Sequence, residues 1–246
     1  MYKPDDGHLS PDGFADIMRS LFAEPEVHDT LQRIVGLAVE TIPGCDYAGV
    51  SVVEGRGKVH TPVSTHEAAR ASDALQYQLR EGPSLDSIWD NDYVYLPDVA
   101  NGRQWPRYAE EASKLPIGSL LTFRLFTSRE TLGALSLYAR TAHAFEPQDH
   151  DVGVIFSAQA ATALASTRRL SNLNRALETR ETIGQAQGIL MERHRITADQ
   201  AWQYLRSASQ NLNVRLAELA EQIARTGEDP TRLQANTRAE QEGSGG

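Results

Sequence analysis

From Val154 to Ile183 the chain contains neither proline nor glycine, and side chains fit for packing recur through and around that run at three- and four-residue spacing. Val152, Ile155, Phe156, Gln159, Ala163, Leu170, Leu173 and Leu177 trace the stripe. A helix is the backbone that puts residues three and four apart on one face. The spacing therefore predicts one continuous helix over 149–180, which divides the chain into a large part before it and a small part behind it. Leu170, Leu173 and Leu177 stand where a short parallel coiled coil with a second copy of the chain would place its seam.

Behind the long helix come further helical patterns separated by two breaks. Ile183, Ala186, Gln187, Leu190 and Met191 share a face, and His194-Arg195 stops the pattern. Thr197 followed three residues later by Gln200 is a helix start in which each side chain satisfies the other residue's orphan backbone donor. Ala201, Trp202, Leu205, Ala208 and Leu212 continue from it as an apolar stripe, with Trp202 expected in the core; the alternative for Trp202 is a partly exposed indole that stacks a loop base. Asn213 interrupts and is expected to cap a third helix through Leu216, Leu219, Ala220 and Ile223, which Gly227 and Pro230 close. The string Gln185-Ala186-Gln187-Gly188-Ile189-Leu190-Met191, followed by Ala201-Trp202, Leu205-Arg206 and Ala208, resembles the ANTAR domain over 170–227. That resemblance implies an all-α three-helix module which, as a homodimer, binds tandem stem-loops in nascent mRNA and prevents a terminator hairpin from forming. It singles out Arg180, Gln185, Gln187, Met191, Arg193 and Arg206 as the RNA-contacting residues. The family usually has Lys where this chain has Gln187. Outside the resemblance Arg180, Arg193 and Arg206 read as solvated helix-face charges, Gln185 and Gln187 as exposed amides with no pairing need, Gly188 as a close helix crossing and Met191 as core filler.

The part before the long helix alternates differently. Residues 1–13 are polar and expected to be disordered. Phe14, Ile17, Met18, Leu21 and Phe22 form a short amphipathic helix, and Leu31, Ile34, Val35, Ala38 and Val39 a second that ends at Pro43-Gly44. Strands are predicted over 47–53 and 59–64 about the Gly55-Arg56-Gly57 turn, and over 119–126 and 132–138 about residues 127–130. Between them lie a helix over 68–78, an irregular Gly82-to-Asp86 segment, an edge-like 93–96 strand and a helix around Trp105 to Ala112. An antiparallel sheet flanked by helices is an α+β pattern. With Glu81-Gly82-Pro83-Ser84 and Gly133-Ala134-Leu135-Ser136-Leu137 as its nearest motifs, the segment 14–168 looks like a GAF sensor domain, which implies a small-molecule or redox input. Ser84 stands where similar GAF–ANTAR chains often carry Cys, so thiol chemistry is not expected there.

Composition excludes several other classes. No run approaches the ~18 to 20 apolar residues of a membrane span, and the N-terminus lacks a secretory core, so no membrane is expected and the protein is read as cytoplasmic. The single cysteine, Cys45, allows no internal disulfide, no thiolate cluster and no resolving thiol. His60 and His66, and His143 and His150, lack helical ligand spacing, so no metal is predicted. Asp86, Asp90, Asp92 and Asp98 read as caps and turn formers more readily than as a cation site. No phosphate loop, nucleophile elbow or His-Glu-x-x-His occurs, so no catalytic residue is assigned, the chain is read as a regulator and not an enzyme, and its cofactor is unknown. Net charge is −9, but from Ser171 onward there are nine Arg, no Lys and ten acidic residues, so the acidity belongs to the first part. A near-neutral module binds RNA through arginines on one face. The competing reading is a sensor whose helical C-terminal module binds DNA or a protein partner. The polar segment 228–246 is expected to be a disordered tail.

Overall fold

The computed structural model describes residues 11–55 and 57–229. The chain divides into two units at Ser171/Asn172. In the first, helices α1 (Pro11–Leu21) and α2 (Val27–Thr41) precede strands β1 (Tyr47–Glu54) and β2 (Lys58–Ser64). Helices α3 (Glu67–Leu79) and α4 (Pro83–Trp89), strand β3 (Tyr93–Leu96), a 3₁₀ turn at Val99–Asn101 and helix α5 (Pro106–Ala112) follow. Strands β4 (Ser119–Phe126) and β5 (Thr131–Ala139) complete an antiparallel sheet of order β2-β1-β5-β4-β3.

Alternation along the strands separates two layers. On β4, Leu121, Phe123 and Leu125 enter an apolar cluster with Ile34 and Ala38 of α2. Leu120 on the same strand enters a second cluster with Trp105 and Tyr108. Because helices cover both faces, β5 is buried almost throughout, which is why its sequence reads as a near-continuous apolar run. The segment expected to be irregular at Gly82-to-Asp86 is instead the start of α4. Pro83 opens that helix, where its fixed φ fits and its missing N–H costs nothing.

Helix α6 runs without a break from Pro147 to His194, longer at both ends than the predicted 149–180. Its first turns give the first apolar cluster Phe156, Ala160, Ala163 and Leu164. Helices α7 (Ala198–Leu212) and α8 (Leu216–Thr226) complete the second unit. Thr197 caps α7 with the predicted reciprocal pair: its hydroxyl accepts from Gln200 N at 3.3 Å, and Gln200 Oε1 accepts from Thr197 N at 2.9 Å. Asn213 does not cap the third helix. It ends α7 in the left-handed conformation at φ 53°, which Asn tolerates, while Arg215 takes the N-cap position of α8 without a side-chain bond. Gly227 closes α8 at φ 67° as predicted. Pro230 and the rest of the tail, like residues 1–10, lie outside the described residues. Among the described residues no helix is long and apolar enough to cross a membrane.

Two helical glycines differ in what a methyl group would meet. A Cβ on Gly153 would lie 2.1 Å from the Phe123 ring, whereas one on Gly36 meets nothing within 4 Å. Ala ordinarily stabilises a helix over Gly by ~1 kcal/mol. Gly36→Ala is expected to raise the denaturation midpoint, and Gly153→Ala to lower stability by about 2 kcal/mol through overpacking. Urea unfolding followed by circular dichroism measures both.

Candidate functional sites

The first unit holds a polar interior on the α3–α4 face of its sheet. Asp73, Ser72 and Gln76 of α3, Ser84 of α4, Ser51 of β1, Thr122 of β4 and Ser136 of β5 are all fully buried. A buried polar group costs free energy unless it finds a partner, and these groups satisfy one another. Gln76 Oε1 accepts from Ser84 N at 2.7 Å, its Nε2 donates to Ser84 Oγ at 3.0 Å, and Ser84 Oγ continues to Ser136 Oγ at 2.8 Å. Gly82 makes room for this: a Cβ there would fall 2.4 Å from Gln76 Cγ, and its φ of 144° excludes most side chains. A parallel chain of hydroxyls runs from Ser51 through Tyr77 and Thr61 to Asp73. Burial pushes the Tyr77, Tyr108 and Tyr138 phenols up, so they remain neutral donors. The Gln76 amide and the Ser84 and Ser136 hydroxyls thus bond one another inside the fold.

The candidate cation cluster resolves into local bonds. Asp86 accepts from the Trp105 indole at 3.0 Å, Asp92 pairs with Arg124 at 2.7 Å, and Asp98 caps the 3₁₀ turn through Ala100 N at 3.0 Å. No group of three or more His, Cys, Asp or Glu among the described residues could hold a metal ion. Cys45 is buried, its Sγ–H donates to Tyr47 O, and desolvation pushes its thiol up to about 12. A thiol so held is not a nucleophile at neutral pH.

In the second unit, Ala186 and Leu190 of α6, Ala201, Leu205 and Ala208 of α7, and Leu219, Ala220 and Ile223 of α8 form the core. Against it the six residues named by the ANTAR resemblance separate. Arg180, Gln187 and Met191 recur at seven- and four-residue spacing and share one face of α6; Gln185 and Arg193 point well away from it, at about 100° of rotation per residue. Arg180, Gln185, Arg193 and Arg206 are exposed, whereas Gln187 and Met191 are half-buried. The Gln187 amide donates to Ala198 O, at the first residue of α7, at 3.4 Å. Ala198, Trp202 and Arg206 repeat every four residues and so share a side of α7.

Trp202 departs from its expected core position. It is 37% exposed, because Ala201, Leu205 and Ala208 already fill the buried stripe and the residue beside Ala201 lies at its margin. The signal was in the spacing, since 201, 205 and 208 complete the helical period without it. Gly188, read as a close helix crossing, has no atom within 4 Å of a built Cβ. Leu170, Leu173 and Leu177 are 56%, 54% and 66% exposed.

One feature of this unit had no sequence signal. Asp229, assigned to the tail, is buried. Its carboxylate receives His194 Nε2 at 2.5 Å and the Tyr204 hydroxyl at 2.8 Å, tying the chain after α8 to the end of α6 and to α7.

Comparison with known proteins matches both parts. Residues 24–165 match the sequence model of the GAF domain, and residues 171–223 that of the ANTAR domain. The GAF domain from an Acinetobacter phosphoenolpyruvate-protein phosphotransferase is similar with a TM-score of 0.52 at 16% identity, covering 65% of this chain and 96% of that one. The GAF domain of the corresponding Coxiella burnetii protein gives 0.53 at 15%, covering 64% and 94%. Free methionine-R-sulfoxide reductase from Neisseria meningitidis, solved with its substrate, gives 0.50 at 13%, covering 68% and 95%. At such identities the likeness is one of fold. No curated protein matches the sequence.

The His194–Asp229–Tyr204 clasp carries a prediction. Asp229→Ala leaves two polar side chains without this shared partner and is expected to cost the second unit about 2 kcal/mol. Hydrogen exchange of the amides from Ala201 to Ala208 reads that loss as reduced protection.

Proposed function

The chain belongs to the GAF domain family and carries an ANTAR domain behind it, and from that premise we propose that it is a cytoplasmic RNA-binding antitermination regulator whose GAF sensor controls the ANTAR head. GAF and ANTAR domains are sensor and regulatory modules, and ANTAR is an RNA-binding antitermination domain. Tandem stem-loops in nascent mRNA are the proposed target, and the exposed Trp202 carries the reading in this chain. An indole open to solvent on the same side of α7 as Arg206 offers a loop base a stacking surface and its phosphate a planar cation. Gln187, docked on the first residue of α7, adds an amide to the same neighbourhood. Arg180, Gln185, Met191 and Arg193 are the further proposed contacts; with no lysine after Ser171, the cations here are guanidinium groups.

DNA is the weaker reading. A recognition helix presents basic and amide side chains at its N-terminal end. Helix α8 instead begins Leu216-Ala217-Glu218, with Arg215 paired to Glu218 at 2.5 Å, and Glu221 lines the open groove beside it. As for catalysis, Ser84 in place of a thiol and the buried Cys45 support a sensor over a sulfoxide reductase.

The proposed homodimer rests on Leu170, Leu173 and Leu177, three exposed leucines with the three- and four-residue alternation of a coiled-coil seam.

Two outcomes are expected. In gel shifts with a two-hairpin leader RNA, Trp202→Ala is expected to weaken binding about tenfold, in line with the loss of one base stack. Arg206→Ala should weaken binding and reduce the salt slope by about one; retention of a DNA duplex with indifference to the hairpins would overturn the reading. In light scattering the unmodified chain is expected to run as a dimer and the Leu170→Asp/Leu177→Asp variant as a monomer. A monomeric unmodified chain, with and without RNA, would count against the seam.

A further inference from the structure

We propose that the interior of the sensor domain is a proton-binding site centred on Asp73, and that the proton is an input the domain reads. Asp73 is fully buried, and among the described residues no Lys, Arg or His makes a hydrogen bond or ion pair with it. Buried carboxylates are ordinarily paired with a cation or kept neutral. Here the surroundings serve both states. Tyr138 of β5 donates to Oδ1, and Thr61 of β2 bonds Oδ2 at 2.8 Å. Thr61 continues to Tyr77 at 2.6 Å, and Tyr77 to Ser51 at 2.5 Å. With Asp73 ionised, the hydroxyls donate in turn from Ser51 through Tyr77 and Thr61 to the carboxylate. With Asp73 protonated, the acid donates to Thr61 and the chain reverses, ending at Ser51. Hydroxyls are the groups that permit this, since each donates and accepts.

The other groups facing the carboxyl do not compete for the proton. Tyr77 on α3, Tyr108 on α5 and Tyr138 on β5 are titratable, and burial keeps all three neutral. From β1, β2 and α4 the polar interior receives Ser51, Thr61 and Ser84, which do not titrate; Gly49 of β1 admits the carboxylate, for a Cβ there would stand 3.1 Å from Oδ2. Desolvation is the largest effect on Asp73 and pushes it up to about 6 from the usual 3.8, against the hydrogen bonds of Tyr138 and Thr61, which lower it. The folded protein thus holds a proton that the unfolded chain releases near pH 4. Stability from this site is full below that value and is lost as pH rises through about 6.

The readout lies in β5. Tyr138 touches Asp73 on one face of that strand, while its neighbours Leu137 and Ala139 belong to the apolar cluster on the other, with Phe156, Ala160 and Leu164 of α6. Loss of the proton places an anion against Tyr138 and so acts on a strand whose opposite face belongs to the same apolar cluster as α6.

The test is a carboxyl-carbon NMR titration of full-length protein labelled at aspartate. A resonance absent from Asp73→Asn should titrate near pH 6, and Tyr138→Phe, which removes a donor but keeps the ring, should shift that midpoint upward. Hydrogen exchange across residues 156–164, corrected for intrinsic rates, should differ between pH 5.5 and 7.5 in the unmodified chain and not in Asp73→Asn. Should Asp73→Asn fail to fold, the upward shift in Tyr138→Phe identifies the resonance. A resonance that titrates below pH 5 overturns the site, and a midpoint near 6 with unchanged exchange in α6 overturns its role as an input.

Discussion

Helix α6 is a single covalent element that supplies side chains to two separate cores, and both folded units depend on it. Phe156, Ala160 and Leu164 belong to the first core, Ala186 and Leu190 to the second. Helices in water draw most of their stability from tertiary packing. Between these anchors, residues 172–178 are all exposed, so that stretch keeps its form by propensity, by continuity with the packed ends and by whatever covers its leucines. The absence of proline and glycine over the same stretch is what a helix without local support requires.

That requirement made the long helix legible from residue order, together with the strands, the Thr197–Gln200 cap and the Gly227 stop. Each has a local cause written in a few adjacent residues. The failures had non-local or competing causes. Asn213 suits both ends of a helix, as an N-cap by its side chain and as a C-cap by its tolerance of positive φ, and the second role won. Trp202 reads as core from its three-residue spacing to Leu205 on the apolar stripe, although Ala201, Leu205 and Ala208 already complete the period. Asp229 was lost in a polar tail because its partners, His194 and Tyr204, lie 35 and 25 residues away.

The sensor interior was the least legible part. Ser51, Thr61, Asp73, Gln76, Ser84 and Ser136 are scattered over five elements, and no sequence window shows that they meet. Polar residues on a strand normally signal a solvated face. Here helices cover that face too, and the polar groups survive burial because each finds a partner. A fully satisfied network also specifies its own geometry, since moving one hydroxyl strands the next. The Gln76 amide beside Ser84 is thus both a filler of the interior and a lock on the α3–α4 turn.

Among the described residues, four of the eight buried in the core of the second unit are alanines: Ala186, Ala201, Ala208 and Ala220. Alanine allows helices to approach closely but removes little apolar surface from water, at ~25 cal/mol per Å². The head is therefore held by a thin margin in which end caps and the Asp229 clasp weigh heavily. For a domain so balanced, any ligand that binds the folded form adds RT ln(1 + [L]/Kd) to its stability. If the proposed RNA is that ligand, its occupancy would be written directly into the melting temperature of the second unit, making heat a reporter of binding.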